Sequence, residues 1–283
     1  MPLERVREEI DERLSPVIDA HPLSGGDINE AYRVRLEDGR QIFVKTNEEP
    51  PATMFPMEAE GLRWLGETEA LRVPNVLAVS EDFLALELIT PGAPAPDHAE
   101  QLGRGLAALH RYPADGYGWR HPNFIGSLPQ DNSPRPTWSS FYAENRLEAQ
   151  LKMAVDRGRA SDAIVRGMKA LMSRIDGLVG ADEPPSRLHG DLWGGNCHTD
   201  RDGAPVLIDP AVYGGHREMD LAMMHLFGGF SSRTFDAYAE AWPLSAGAAQ
   251  RVPLYQLYPL MVHVNLFGGS YIRSVERALG RLV

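Results

Sequence analysis

The stretch RLHGDLWGGNCHTD, residues 187–200, gathers histidines, carboxylates, an amide and a lone thiol within fourteen positions, and each combination suggests a different chemistry. His189, Asp191, His198 and Asp209 are all metal-ligand types. Their spacing fits neither a helical His-x-x-x-His face nor a paired-cysteine zinc pattern. Cys197 has no base beside it in the sequence, and a small lone cysteine is more often a packing residue than a nucleophile.

Phosphoryl transfer uses more of the residues. Asp191 stands five positions before Asn196, and Asp209 comes eighteen positions after Asp191. Protein kinases use the same arithmetic: a loop Asp takes the proton of the attacking hydroxyl, and an Asn and a later Asp hold magnesium against the nucleotide phosphates. On this reading Asp191 is the catalytic base and Asn196 and Asp209 are the Mg²⁺ ligands, since hard oxygen donors suit that ion. Asp202-Gly203 predicts a hairpin between CHTD and APVLID, which brings Asp209 back near Asp191. His189 is expected to hold the loop rather than to move protons.

The elements that must position this loop lie on both sides of it. Residues 31–45, AYRVRLEDGRQIFVK, alternate like two strands joined at Asp38-Gly39. Lys45 ends the second strand, where its ammonium reaches nucleotide phosphates, and Glu58 on a helix over 57–67 is its expected partner. Glu60 is the rival, but Glu58 leads Leu62 and Leu65 by one and two turns. Before the hairpin, Ser24-Gly25-Gly26-Asp27-Ile28-Asn29 offers a small-residue turn. There Gly25, Gly26 and Ile28 would bring backbone N–H groups to phosphate oxygens; a plain turn is the alternative reading of the two glycines. FLALELI, over 83–89, reads as a strand presenting the backbone of Glu87 and Leu88 to adenine.

PGAPAP, residues 91–96, can continue neither helix nor central strand and divides the chain into an ATP-binding lobe, 1–90, and a catalytic and substrate-binding lobe, 91–283. Beyond it the periodicity is mainly helical, over 97–110, 138–155, 160–179, 219–227, 234–241 and 246–279, the last broken at Pro253 and Pro259. The expected fold class is α+β: a two-lobed protein-kinase-like fold, with a small antiparallel sheet and helix followed by a larger helical lobe.

Composition sets the context. The 283 residues carry 39 acidic against 28 basic side chains, a net charge of −11, which disfavours a nucleic-acid partner. The single cysteine fits a reducing compartment. MPLERVREEIDERL reads as an amphipathic helix rather than a signal peptide, and no apolar run is long enough to span a membrane. A cytoplasmic protein without membrane association is expected, as monomer or homodimer.

HGDLWGGN, LIDPAVYGGHREMDLAM, LFGGF, LYQLYPL and NLFGG together resemble the fructosamine kinase family, in the aminoglycoside-phosphotransferase-like branch of the protein-kinase-like fold. The likeness runs from LSGGDINEAYRV through FVK, LGRGLAALH, YGW and NFIGSLPQ to the last helix. HGD-x4-N marks only the broad superfamily; HGDLWGGN with IDPAVYGGHRE marks the family. The resemblance implies ATP- and Mg²⁺-dependent phosphorylation of a ketosamine at the sugar 3-hydroxyl, leading to deglycation. It gives Trp193 as a sugar platform and His263 as a second sugar contact. Glu218 is a candidate substrate contact beside Asp191, with structural support as the alternative, and Asp220 is a candidate helix cap. Asp27 stands where some members of the family have a redox-active cysteine. Two other readings share the motifs: a kinase for an aminoglycoside or a choline-like amino alcohol, and a nucleotide-binding pseudokinase.

Overall fold

In the computed structural model, described over residues 2–23 and 29–282, the chain forms two compact units. The first comprises residues 1–98 and 197–210; the second comprises 99–196 and 211–283. The return of 197–210 to the first unit is a feature that a single cut at residue 91 does not include. Gly25, Gly26 and Ile28, expected at the phosphates, lie outside the described residues, as does Asp27.

The first unit opens with α1 (Pro2–Arg13), whose Leu3, Val6 and Ile10 are buried at helical spacing against the sheet. Strands β1 (Val17–Leu23), β2 (Glu30–Leu36) and β3 (Gln41–Thr46) follow, then α2 (Met54–Gly66), β4 (Val76–Val79) and β5 (Phe83–Glu87). They make a five-stranded antiparallel sheet in the order β1-β2-β3-β5-β4. The β2–β3 hairpin turns at Asp38-Gly39 as expected, with Gly39 at φ 88°. One sheet face covers α1 through Val34, Leu36, Ile42, Val44 and Phe83, and the other receives Phe55, Ala59 and Leu62 of α2. Alternation along β3 therefore decides which side chains reach each face, and it delivers Lys45 to the side of α2. β1 is absent from the sequence reading: it is an edge strand, mostly exposed, carries Pro22 and slips register between Val17 and Asp19, so it shows no clean alternation.

In the second unit, α3 (His98–Arg111) buries Leu102, Leu106 and Leu109. Two short strands, β6 (Asn123–Ile125) and β7 (Leu128–Gln130), precede α4 (Trp138–Phe141). The helical path continues through a π-helical stretch, Tyr142–Glu148, into α5 (Ala149–Asp156) and then α6 (Asp162–Met172). Arg146, on the π-helical stretch, is fully buried, with its guanidinium 4.0 Å from the Tyr213 ring centre and 4.5 Å from that of Phe141. After β8 (Ser186–Leu188), the hairpin β9 (Cys197–Thr199) and β10 (Pro205–Leu207) belongs to the first unit. It is sewn there by Leu207 N–H to Arg72 O (2.9 Å), Gly92 N–H to Thr199 O (3.2 Å) and the Arg72–Asp200 ion pair. Its turn is the expected Asp202-Gly203, with Gly203 at φ 85°.

β11 (Tyr213–Gly215) returns to the second unit and pairs with β8. It is followed by α7 (Glu218–Phe227), α8 (Ser232–Ala241), α9 (Ala248–Phe267) and α10 (Ser270–Leu279). Pro253 and Pro259 do not break the last helical region; both lie inside α9. The break falls at Gly268-Gly269, with φ of 64° and 59°, where a left-handed backbone ends α9 and starts the turn into α10. Among the described residues no helix is long and apolar enough to cross a membrane.

Candidate active site

The HGD loop is held from below by one buried carboxylate. Asp220, in the first turn of α7, accepts the N–H groups of His189 (2.8 Å) and Gly190 (2.9 Å). Its Oδ2 also accepts from His110 Nε2 of α3 at 3.1 Å, and the other ring nitrogen of His110 faces the Tyr238 hydroxyl at 2.9 Å. Burial alone would raise the Asp220 carboxyl, but the His110 hydrogen bond and the loop N–H groups outweigh it and hold its pKa below the ordinary value. Asp220 is therefore the loop's anchor and not a cap of its own helix, as the sequence suggested. A fold contact thirty residues away in the chain decides the role, and local capping rules do not see it.

Gly190 makes the loop possible. Its φ is +83°, and a Cβ there would stand 2.1 Å from Ala211 O, which belongs to the strand connection lying against it. Gly190→Ala should destabilise the protein by about 1–3 kcal/mol. It should also lower turnover on the order of 10²-fold, the usual result of moving a reacting group by roughly 1 Å. Denaturant melts and steady-state rates check both; a wild-type melt with full turnover would remove the steric argument.

From this base the loop presents Asp191. Its N–H donates to His189 Nδ1 (3.3 Å), and Asn196 Nδ2 donates to both its carbonyl (2.8 Å) and its Oδ2 (3.1 Å). His189 is thus a loop-holding residue, as expected. The Asp–x4–Asn spacing has a direct physical result: the amide of Asn196 closes the loop and clamps the orientation of the Asp191 carboxylate. Because its nitrogen is used here, the side-chain oxygen of Asn196 is its remaining donor to a cation.

The first unit carries its own charged constellation. Lys45 Nζ lies 2.7 Å from Glu58 Oε1 and 2.6 Å from Asp209 Oδ1, with Lys45 itself buried. Burial would push the ammonium down, yet Asp209 and Glu58 more than compensate and raise its pKa above the ordinary lysine value. Burial and the nearby Asp209 push Glu58 up, although Lys45 pulls it down. The expected choice of Glu58 over Glu60 matches the observed pairing. Asp209 sits at φ +54°, a left-handed conformation that Asp tolerates better than most residues but that still costs energy.

On the adenine side, the Glu87 N–H donates to Asn75 O at 2.9 Å, and its carboxylate pairs with Arg72 and the Asn75 amide, so of the Glu87 groups the backbone carbonyl is the one that would face a base. Leu88 follows the strand end and is half-buried.

Three residues were expected at the acceptor. Trp193 is 42% exposed, and its indole lies across Gly195, where a Cβ would meet the ring at 2.3 Å. Gly194 packs on the backbone of Gly229 and donates its N–H to Gly228 O (3.1 Å), which explains both glycines of WGG. His263 is half-buried on α9 among aromatic rings. Glu218 is different: it is buried and held bidentately by Arg251, with Oε2 2.8 Å from Nε. Its charge is already satisfied, so the supporting role fits it better than substrate contact. Arg217, next to it, pairs instead with Glu183 at 2.6 Å.

Each expected cation ligand keeps an oxygen uncommitted to the bonds described: Asn196 its side-chain carbonyl, and Asp209 its Oδ2, since Asp209 Oδ1 is committed to Lys45. Such a set fits Mg²⁺. Among the described residues no group of three or more His, Cys, Asp or Glu side chains is placed to hold a metal. Mg²⁺ bound with a polyphosphate needs only one or two protein ligands. Burial pushes the Cys197 thiol up to about 12, far from a reactive thiolate.

The fructosamine kinase family model matches residues 4–283. A protein named as a probable ketoamine kinase from Enterococcus faecium is 38% identical over 91% of this chain and 93% of its own. Another so named, from Thermus thermophilus, is 38% identical over 92% of each. Among solved structures, one from Thermobifida fusca named as a candidate fructosamine-3-kinase is 41% identical, with a TM-score of 0.91 over 98% of both chains. A gentamicin complex of an aminoglycoside phosphotransferase, at 12% identity and TM-score 0.66, shares the two-lobed kinase-like fold.

Proposed function

This chain belongs to the fructosamine kinase family, and from that premise we propose that it transfers the γ-phosphoryl group of ATP to the sugar 3-hydroxyl of a ketosamine. The observation that carries the reading furthest is the clamped Asp191: an acid fixed by Asn196 at its carbonyl and carboxylate, on a loop anchored by a buried Asp220. A hydroxyl oxygen attacks the γ-phosphorus while the bond to ADP breaks, and Asp191 takes the hydroxyl proton.

Lys45 receives the nucleotide phosphates with its ammonium, and Glu58 keeps that ammonium charged and aimed. Asn196 and Asp209 are the residues that would hold Mg²⁺, which supplies neutralisation of the phosphate charge when bound. Trp193 gives the sugar ring an aromatic surface, and His263 gives the ketosamine a hydrogen-bond partner. Because phosphate on carbon 3 makes the adduct unstable, the transfer serves deglycation and frees the amine.

The test is ADP release by the purified protein with Mg-ATP against fructosamines, ribulosamines, an aminoglycoside and choline. Turnover confined to ketosamines is the expected result. Turnover on the aminoglycoside or choline alone would overturn the substrate, and silence on the whole panel would overturn the reading as an active kinase of this class.

A further inference from the structure

Four rings from α7, α9 and α10 surround one point on the second unit. The His263 ring centre lies 4.5 Å from that of Phe227, 4.8 Å from that of Tyr271 and 5.5 Å from that of Phe267. The sequence pattern builds the cluster: Phe227 ends α7, Phe267 ends α9, and the left-handed pair Gly268-Gly269 turns the chain so that Tyr271, four residues after Phe267, comes back onto His263. Phe267 is 51% exposed, so the cluster is an open cradle and not a closed core.

The cradle is continuous with the catalytic loop inside one unit. Gly194, three residues after Asp191, donates its N–H to Gly228 O, and Gly228 directly follows Phe227. The floor of the Trp193 loop is thus the end of α7 that carries the first ring of the cradle.

The chemistry at its centre is directional. Pro259 O can only accept, so the 2.8 Å contact makes His263 Nδ1 the protonated nitrogen. Burial lowers the pKa of His263 despite that hydrogen bond, so the ring is neutral at pH 7 and Nε2 presents a lone pair. An acceptor lone pair among aromatic faces suits a cation with N–H donors and an apolar substituent. Arg157 and Arg159 direct guanidinium N–H groups onto the final carbonyls of α9: Arg157 to Asn265 O at 2.6 Å and Arg159 to Val264 O at 3.1 Å.

We infer that Phe227, Phe267 and Tyr271, arrayed around His263, form a subsite for the amine side of the ketosamine, taking its secondary ammonium and an uncharged apolar or aromatic N-substituent. This rests on the ketosamine-kinase reading. It makes Phe267 and Tyr271 specificity-determining residues and leaves the sugar to the Trp193 side.

The experiment compares kcat/KM for fructosamines made from benzylamine, methylamine and glycine, in wild type and in Phe267→Ala, Phe267→Leu and Tyr271→Ala, with melts to confirm folding. The benzyl adduct should exceed the methyl adduct by about tenfold, the scale of one aromatic contact. That ratio should collapse toward one in Phe267→Ala and Tyr271→Ala, and Phe267→Leu should recover part of it through apolar contact alone. Equal rates for benzyl and methyl adducts in wild type, or a ratio unmoved by the folded variants, would overturn the subsite while leaving the kinase reading standing. Preference for the glycine adduct would assign the region to a carboxylate bound by Arg157 and Arg159 and would overturn it too. Absence of turnover on every ketosamine would overturn both.

Discussion

Asp191→Asn should lower turnover on the order of 10² to 10⁴, the usual cost of losing a general base, while ATP still binds. The amide replaces a proton acceptor by a group of nearly the same shape, so the loop need not move. Asp220 continues to hold the His189 and Gly190 N–H groups, and Asn196 continues to bond the residue-191 carbonyl. The loss should therefore fall on kcat, with the KM for ATP changed little and the melting temperature close to wild type. Near-normal kcat in the variant would remove Asp191 from the role of base. A large fall in stability would instead show that its carboxylate is needed to shape the loop.

Lys45→Met acts on the other unit and should fail differently. It removes the only cation in contact with Glu58 and Asp209 among the interactions described, and it leaves Glu58 mostly buried without its partner. Breaking a buried ion pair by truncating one member costs on the order of 3–5 kcal/mol, less whatever Glu58 recovers by taking up a proton. The same substitution removes a preorganised positive charge from the phosphates, for which a fall of roughly 10² to 10³ in kcat/KM is expected. Glu58→Gln separates the two effects: it keeps the ammonium, relieves the buried acid, and should retain more activity than Lys45→Met. Unchanged nucleotide kinetics in a folded Lys45→Met protein would contradict the assignment.

Closeness in the chain and local periodicity explain what could be read of these two places from the sequence. Asp191 and Asn196 are close in the chain, so their spacing already contains their geometry. Lys45 and Glu58 are separated by thirteen residues, but a strand end and a helix period suffice to bring them together. The Asp38-Gly39 and Asp202-Gly203 turns are legible for a similar reason, since each needs a left-handed backbone at its glycine.

What the sequence hid depends on tertiary contact. Asp220 looked like a helix cap because it enters α7, and its partners His110, His189 and Gly190 arrive from α3 and the loop. The residue that holds Glu218, Arg251, lies thirty-three positions away in the chain, and no local pattern points to it. Pairing of β8 with β11 involves only three residues on each side, too few for alternation to declare itself. Pro253 and Pro259 misled because packing of α9 in the core of the second unit tolerates the lost hydrogen bonds, and Gly268-Gly269 supplies the actual stop.

The aromatic cradle is an intermediate case. NLFGG marks a family resemblance in the sequence, but nothing in the linear pattern says that Phe227 and Tyr271 meet on His263. Only the folded arrangement gives those residues a common chemical purpose.

The most direct measurement is phosphorus and proton NMR of the product formed from Mg-ATP and a fructosamine, locating the carbon that bears the new phosphate. Phosphorus coupling to the proton on carbon 3 is expected, followed by decay of that product with release of the free amine, and neither signal with Asp191→Asn. A stable phosphate on carbon 4, 5 or 6, or formation of ADP without any phosphorylated sugar, would contradict that expectation.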